Sequence, residues 1–249
     1  PRHGGGIAGR TEATGRGIEE VIREFFRNKE EVKKAKLNEN LKDNRIVIQG
    51  FGNVGRHLAY ELYNRDNAKI IAIGEYNGIL YNEKGIDINK LIECVLFKKT
   101  IENNELGKFT KNPKGIVEVE CDILVPAALE GVINKDNVEK VKTKLIVEAA
   151  NGPIDPASDR ILFNKGVTVL PDIYVNAGGV VVSYFEWVKN LSHIRFGRME
   201  KRYQEHKLLE LIKLIEKTTN TKTDPELINT IVHGADEIDL TNSGLEDSM

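Results

Sequence analysis

Arg45-Ile-Val-Ile-Gln-Gly-Phe-Gly-Asn-Val-Gly55 is an apolar run that breaks into a Gly-x-Gly-x-x-Gly triplet and passes into Val54 to Arg65, where Val54, Leu58 and Leu62 share one face. The first part reads as a strand and the last as a helix, with the glycines at the junction. A second apolar run, Lys69-Ile-Ile-Ala-Ile73, follows, and the acidic Glu75 closes it twenty residues after Gly55. Strand, glycine turn, helix, strand and terminal acid is the order of a dinucleotide-binding unit. Gly50 makes the tight turn, Gly52 lets the backbone approach a pyrophosphate, and Gly55 lets helix and strand pack closely. The anion then sits against the unpaired N–H groups of the helix start, in the loop that Val54 completes. Glu75 is placed to accept hydrogen bonds from the ribose hydroxyls; its charge repels a 2′-phosphate and leans toward NAD over NADP, unless nearby Lys69 or Lys84 offsets it.

Further strand patterns lie at Asp122-Ile-Leu-Val125, Lys144-Leu-Ile-Val147 and Val167-Thr-Val-Leu170, with helical patterns at Asp87 to Lys98, Lys135 to Val141 and Pro156 to Asn164. Continuous apolar strands separated by helices predict a mostly parallel sheet covered on both faces, a doubly wound (Rossmann-like) α/β fold. Upstream, Pro1 to Gly17 holds six glycines and reads as a backbone-exposing loop. From Ile18, the residues Ile18, Val21, Ile22, Phe25 and Phe26 form one helical stripe, and the mixed-charge run Lys29 to Arg45 reads as a solvated helix end and connector. Beyond about Asn190 the strands stop, and Lys201 to Lys217 carries Leu208, Leu211, Ile212 and Ile215 on an amphipathic helix. The expected organisation is a Gly-rich loop and leading helix over 1–44, a dinucleotide-binding domain over 45–190, and an appended helical insertion over 191–249.

Composition narrows the partners. Of 249 residues, 36 are basic and 38 acidic, a net charge of -2 that creates no field for nucleic acid or anionic lipid. Apolar residues at 40% fit a globular chain, and no stretch reaches the roughly 18 apolar residues of a membrane helix. Cys94 and Cys121 form no CxxC pair, which fits a reducing compartment. The five histidines, His3, His57, His193, His206 and His233, have no ligand spacing, so no metal site is expected. The adjacent acids Glu19-Glu20, Glu30-Glu31 and Glu246-Asp247 diverge on a helix and read as solvated. A chain that starts at Pro1 is read as trimmed, processed or incomplete, with any targeting peptide invisible.

Asn151-Gly-Pro153, Pro171-Asp172 and Asn176-Ala-Gly-Gly179 each follow, or nearly follow, a strand pattern, at the carboxyl ends where doubly wound sheets bind ligands. Amides and bare backbone there suit a carboxamide such as nicotinamide, or a small polar substrate; singly, they are also ordinary turn-formers. Together with Gly5-Gly-Ile-Ala-Gly-Arg10, Ala13-Thr-Gly-Arg-Gly17, Gln49-Gly-Phe-Gly-Asn-Val-Gly55, Ala149-Ala-Asn-Gly-Pro153 and Asn176-Ala-Gly-Gly-Val-Val-Val-Ser-Tyr-Phe-Glu-Trp187, they resemble the cofactor-binding domain of glutamate dehydrogenases, within the Glu/Leu/Phe/Val dehydrogenase family. The resemblance runs in unbroken order from about Gly5 to Asn190, and Ser183-Tyr-Phe-Glu-Trp187 is similar to the glutamate-specific members.

The resemblance implies NAD(P)-dependent, reversible oxidative deamination of L-glutamate to 2-oxoglutarate and ammonia, by a homo-hexamer of the mitochondrial matrix, with the cytoplasm as the alternative location. It implies that Thr14 and Asn53 contact cofactor and that Asn151 and Asn176 lie beside nicotinamide and substrate. Arg10, Val180 and Ser183 are implied to contact substrate, Ser183 through a hydroxyl that helps hold the side-chain carboxylate. A dicarboxylate needs a cation and a hydroxyl donor, and a valine wall excludes water. By themselves, Arg10 is equally a surface cation and Ser183 a helix serine bonded to a carbonyl one turn back. The family's catalytic lysine and aspartate belong to a domain before the segment matching Pro1, so catalytic residues are expected outside this chain. Its last helices follow the stretch matching Asn242-Ser-Gly-Leu245. Between Asn190 and Ser243 the chain resembles, more loosely, a shortened form of the antenna-like insertion of animal-type hexameric enzymes. The rival reading is a non-catalytic structural or interaction protein that retains the dinucleotide fold.

Overall fold

The structure, a computed structural model, describes residues 6–103, 105–192, 196–219, 221–225, 227–228, 232 and 237–249. Arg2, Gly4 and Gly5 of the opening motif, and His3, His193 and His233, lie outside the described residues. The described chain separates into two compact units. One is Thr11–Val181 together with Leu245–Met249; the other falls within Pro1–Arg10 and Val182–Gly244.

The larger unit is built on a seven-stranded sheet: β1 (Arg45–Gln49), β2 (Lys69–Glu75), β3 (Gly78–Tyr81), β4 (Lys108–Thr110), β5 (Ile123–Pro126), β6 (Leu145–Val147) and β7 (Thr168–Leu170), in the order β4-β3-β2-β1-β5-β6-β7. The five strands from β2 to β7 through β1 are parallel, and β3 and β4 continue the sheet antiparallel. The central strands are buried on both faces because each face has its own core. Ile46 and Ile48 join Ile18, Leu58 and Leu62 on one side, while Val47 joins Ile71, Leu124 and Ile146 on the other. The expected doubly wound α/β fold is therefore present, with α1 (Ala13–Arg27), α2 (Lys29–Lys34), α3 (Asn53–Asp66), α4 (Ile88–Lys98), α5 (Pro156–Asn164) and α6 (Asp172–Val175) around the sheet.

Several expectations need correction. The β3–β4 extension was not anticipated, although Asn77-Gly78 is a hairpin signal and Glu75 pairs directly with Gly78. Lys135 to Val141 is no α-helix: only Val138–Lys140 forms a 3-10 turn. There, Asn137 accepts the Asn134 N–H and donates to the Val132 carbonyl, satisfying backbone groups that a helix would otherwise pair. The glycine-rich opening becomes helical at Ala13. A Cβ on Gly15 would lie 2.7 Å from His57 Cβ, and one on Gly17 3.0 Å from Gly178 Cα, so these glycines allow close approach. Tertiary packing outweighs a helix-propensity cost of roughly 1 kcal/mol per glycine.

Glu19 is the other departure, because it is fully buried instead of solvated. Arg65 Nη1 reaches its Oε2 at 2.9 Å and Glu20 Oε1 at 2.8 Å, tying α1 to α3. Burial, followed by the nearby Asp66 and Glu20, pushes the Glu19 carboxyl up to about 9. Glu19 Oε1, 3.6 Å from Arg23 Nη1, and Asp66 Oδ2 are buried without a hydrogen-bond partner, and a proton held on Glu19 and offered to Asp66 satisfies both.

The chain passes between units inside α7 (Gly178–Ser192), so the units divide at points other than 44/45 and 190/191. In the smaller unit, Arg10 pairs with Glu186 at 3.6 Å, and Lys189 donates to the Gly6 carbonyl at 2.9 Å. Here α8 (Phe196–Thr219) includes the expected amphipathic helix, but of its stripe Ile212 is buried, Leu208 half-buried, and Leu211 and Ile215 exposed. The helix α9 (Glu237–Ser248) ends in the larger unit.

Candidate dinucleotide site

Two glycines of the triplet are required by close neighbours, and the third is not. Gly50 follows β1 with φ at 99°, a left-handed value that favours glycine, and a Cβ there would fall 2.8 Å from Ala128 Cβ. A Cβ on Gly55 would collide with the Gly50 carbonyl oxygen. Gly52 is different. It adopts an ordinary φ of -72° at the N-cap of α3, and an added Cβ meets nothing within 4 Å. No side chain caps α3. The turn therefore offers open space in front of unpaired N–H groups, a fit for a pyrophosphate. Asn53, at the same turn, donates from Nδ2 to the Thr11 carbonyl at 2.8 Å and so anchors the approach to α1.

Glu75 sits at the carboxyl end of β2, where its carboxylate accepts the Phe51 N–H and, at 3.3 Å, the Tyr76 N–H. Beside it opens a cavity of about 660 Å³ whose lining includes Gly50, Gly74, Glu75, Lys114, Ile116 and Ala128. Lys69 and Lys84 are not at this site. Lys69 begins β2, six residues or roughly 20 Å of strand from Glu75. Lys84 sits in the turn whose Gly85 faces Lys69. The cation on the cavity wall is Lys114, in the 3-10 turn Pro113–Glu118, which sequence reasoning missed because it lies 39 positions beyond Glu75.

At the ends of β6 and β7, Asn176 Nδ2 donates to Asn151 Oδ1 at 2.7 Å and to the Ala149 carbonyl at 3.4 Å. The Gly152 N–H donates to the Asp172 carboxylate at 2.8 Å, and the Asp172 N–H to the Glu148 carboxylate at 3.0 Å. Burial, with the nearby Asp172 charge, pushes the Glu148 carboxyl up. Thr14 lies against the start of α7, where its hydroxyl occupies the space a Cβ on Gly179 would need. Val180 is exposed nearby in the sequence of that helix. Of the expected substrate residues, Asn176 and Val180 belong to the sheet unit; Arg10, ion-paired to Glu186, and half-buried Ser183 belong to the other. Among the described residues no group of three His, Cys, Asp or Glu could hold a metal ion. No described helix is long and apolar enough to cross a membrane.

The family model for glutamate/leucine/phenylalanine/valine dehydrogenases matches residues 5–240. A mitochondrial glutamate dehydrogenase of Dictyostelium discoideum is 47% identical over 249 residues, all of this chain and 49% of its own length. An NADP-specific glutamate dehydrogenase of Saccharolobus shibatae is 43% identical over 192 residues, 77% of this chain and 43% of its own. Among solved structures, the glutamate dehydrogenase of Peptoniphilus asaccharolyticus superposes with a TM-score of 0.61 at 30% identity, covering 100% of this chain and 54% of that one. The chain thus spans about half the length of the relatives it matches. A glycine turn open only at Gly52, an acid closing the next strand and an amide pair at the far strand ends occur here within a match that covers nearly every residue, and the chain belongs to the glutamate/leucine/phenylalanine/valine dehydrogenase family.

Proposed function

We propose that this chain is the coenzyme-binding part of an NAD(P)-dependent glutamate dehydrogenase, which interconverts L-glutamate with 2-oxoglutarate and ammonia. The observation that carries the reading is the open space at Gly52 before an uncapped helix, with Glu75 at the next strand end. In this reading Gly50, Gly52, Asn53, Val54 and Gly55 take the pyrophosphate, Glu75 takes the adenosine ribose, and Thr14, Asn151 and Asn176 serve the nicotinamide end. Bound there, the dinucleotide supplies the hydride acceptor for the substrate's α-carbon. Arg10, Asn176, Val180 and Ser183 are the chain's substrate contacts, and the lysine and acid of the amine chemistry come from outside it. Glu75 favours NAD, while Lys114 on the same cavity wall lets NADP bind more weakly.

The partners are glutamate or 2-oxoglutarate and further copies of the chain, in a hexamer as the family resemblance implies. The mitochondrial relative supports a mitochondrial location, which the family resemblance places in the matrix. A non-catalytic remnant is the less favoured reading, since glutamate dehydrogenases match the whole chain and the site residues occur together. Fluorescence titration of the 249-residue chain tests the proposal: NADH binds, yet glutamate and NAD yield no NADH. Positioning reacting atoms contributes roughly 7–11 kcal/mol to such reactions, and one wall of a cleft does not supply it. Absence of NADH binding overturns the coenzyme reading; turnover by the isolated chain overturns the division of labour.

A further inference from the structure

The amide pair has a polarity that its neighbours impose. Both Asn176 amide hydrogens are engaged, one by Asn151 Oδ1 and one by the Ala149 carbonyl. Asn176 is left with Oδ1, an acceptor, and Asn151 with its NH₂, a donor. Side by side, one donor and one acceptor complement a primary carboxamide, whose carbonyl accepts and whose NH₂ donates. If either asparagine amide turned over, like would face like across the pair and this complement would be lost.

What holds the two asparagines together is a pair of carboxylates. Asn151 rides on the loop after β6, and Asn176 follows α6. The Asp172 carboxylate accepts the Gly152 N–H, next to Asn151, while the Glu148 carboxylate accepts the Asp172 N–H at the first residue of α6. Each acid thus clamps backbone of the other segment, and neither reaches an amide side chain. We propose that Glu148 and Asp172 are positioning residues that lock the β6 loop to α6, so that Asn151 and Asn176 present a fixed donor–acceptor pair to the carboxamide of the nicotinamide. The inference rests on the reading that this end of the sheet takes nicotinamide. It also gives Asp172 a structural partner in the Gly152 N–H, so that its carboxylate is occupied in the latch.

The test compares two probes on the 249-residue chain by calorimetry: NADH, which carries the carboxamide on an uncharged ring, and ADP-ribose, which lacks it. Wild type is expected to bind NADH about tenfold or more tighter than ADP-ribose, the effect of well-placed hydrogen bonds. Asp172→Ala and Glu148→Ala are expected to weaken NADH about tenfold and leave ADP-ribose within about twofold. Asp172→Asn and Glu148→Gln keep an acceptor oxygen and should recover NADH affinity. ADP-ribose binding also reports that each variant is folded. Equal losses for both probes, or alanine variants that bind NADH like wild type, overturn the positioning role while leaving the nicotinamide reading in place. Equal affinity of wild type for the two probes overturns the nicotinamide reading and the latch with it.

Discussion

At the β1–α3 turn the carboxyl edge of the sheet is made by omitting side chains, whereas at the ends of β6 and β7 it is made by adding amides and bracing them. Gly50, Gly52 and Gly55 leave backbone N–H groups at the front of α3. Asn151 and Asn176 instead project polar groups whose orientation depends on Glu148, Asp172 and the Ala149 carbonyl. The first end suits a phosphate, which is anionic and accepts hydrogen bonds from any direction. The second suits a flat carboxamide with one donor side and one acceptor side. Bare backbone recognises charge, and reading polarity takes a supported side chain.

Substitutions within the triplet break this comparison most strongly. Gly52→Val adds methyls into space that no protein atom occupies. Its melting temperature should match wild type while NADH affinity falls by a factor of about 100 or more, which fluorescence titration reads. Equal affinity would move the phosphate away from this turn. Gly55→Ala is the counterpart: its Cβ has the Gly50 carbonyl in the way, so urea unfolding should show a loss of about 3 kcal/mol. A Gly55→Ala protein as stable as wild type would mean that the turn relaxes freely and that its shape is not fixed by packing.

A smaller effect separates ribose from phosphate recognition. Calorimetry with both cofactors should show NAD binding wild type more tightly than NADP, with Glu75→Ser narrowing the gap by about tenfold. Lys114→Ala should widen it, because the remaining cation on that wall is lost. Preference for NADP in wild type would show that the lysine outweighs the acid.

A last effect concerns the base beneath the turn, where α1 meets α3. Burial raises Glu19 from an ordinary 4.5 to about 9. Between those values the folded chain keeps a proton that the unfolded chain has released, so stability is full below the ordinary value and drains as pH rises toward 9. Glu19→Gln removes that slope. Calorimetric melting across this pH range should show the wild type losing ground to the variant steadily as pH rises. Parallel curves would mean that Arg65 and Arg23 keep Glu19 ionised.

The same contrast explains what was legible in the sequence. Backbone demands leave local signatures: the triplet, the strand before it and Glu75 could be placed from Arg45 to Glu75 alone, and the pattern Pro156–Asn164 matches the helix to the residue, capped by Asp155. The asparagines were visible as residue types, but their mutual bond spans 25 positions and has no local signal. Lys114 was missed, and whether Lys69 or Lys84 reaches Glu75 was not readable, for one reason: proximity in sequence to Glu75 runs along the strand and away from its end. Glu19 looked like one of several surface acid pairs because its burial depends on Arg65, 46 positions away.

Glu75 carries one more consequence. Its carboxylate is bonded to the Phe51 N–H inside the glycine turn, so the group we propose for the adenosine ribose is also a strut of the turn we propose for the phosphates. Cofactor preference and loop order are therefore inherited together. A lineage or a designer replacing the acid to admit a 2′-phosphate removes the strut in the same step, and overall grip weakens until a second change restores an acceptor for that N–H. Switching cofactor along this route takes two substitutions in sequence, the first passing through a weaker binder of both dinucleotides.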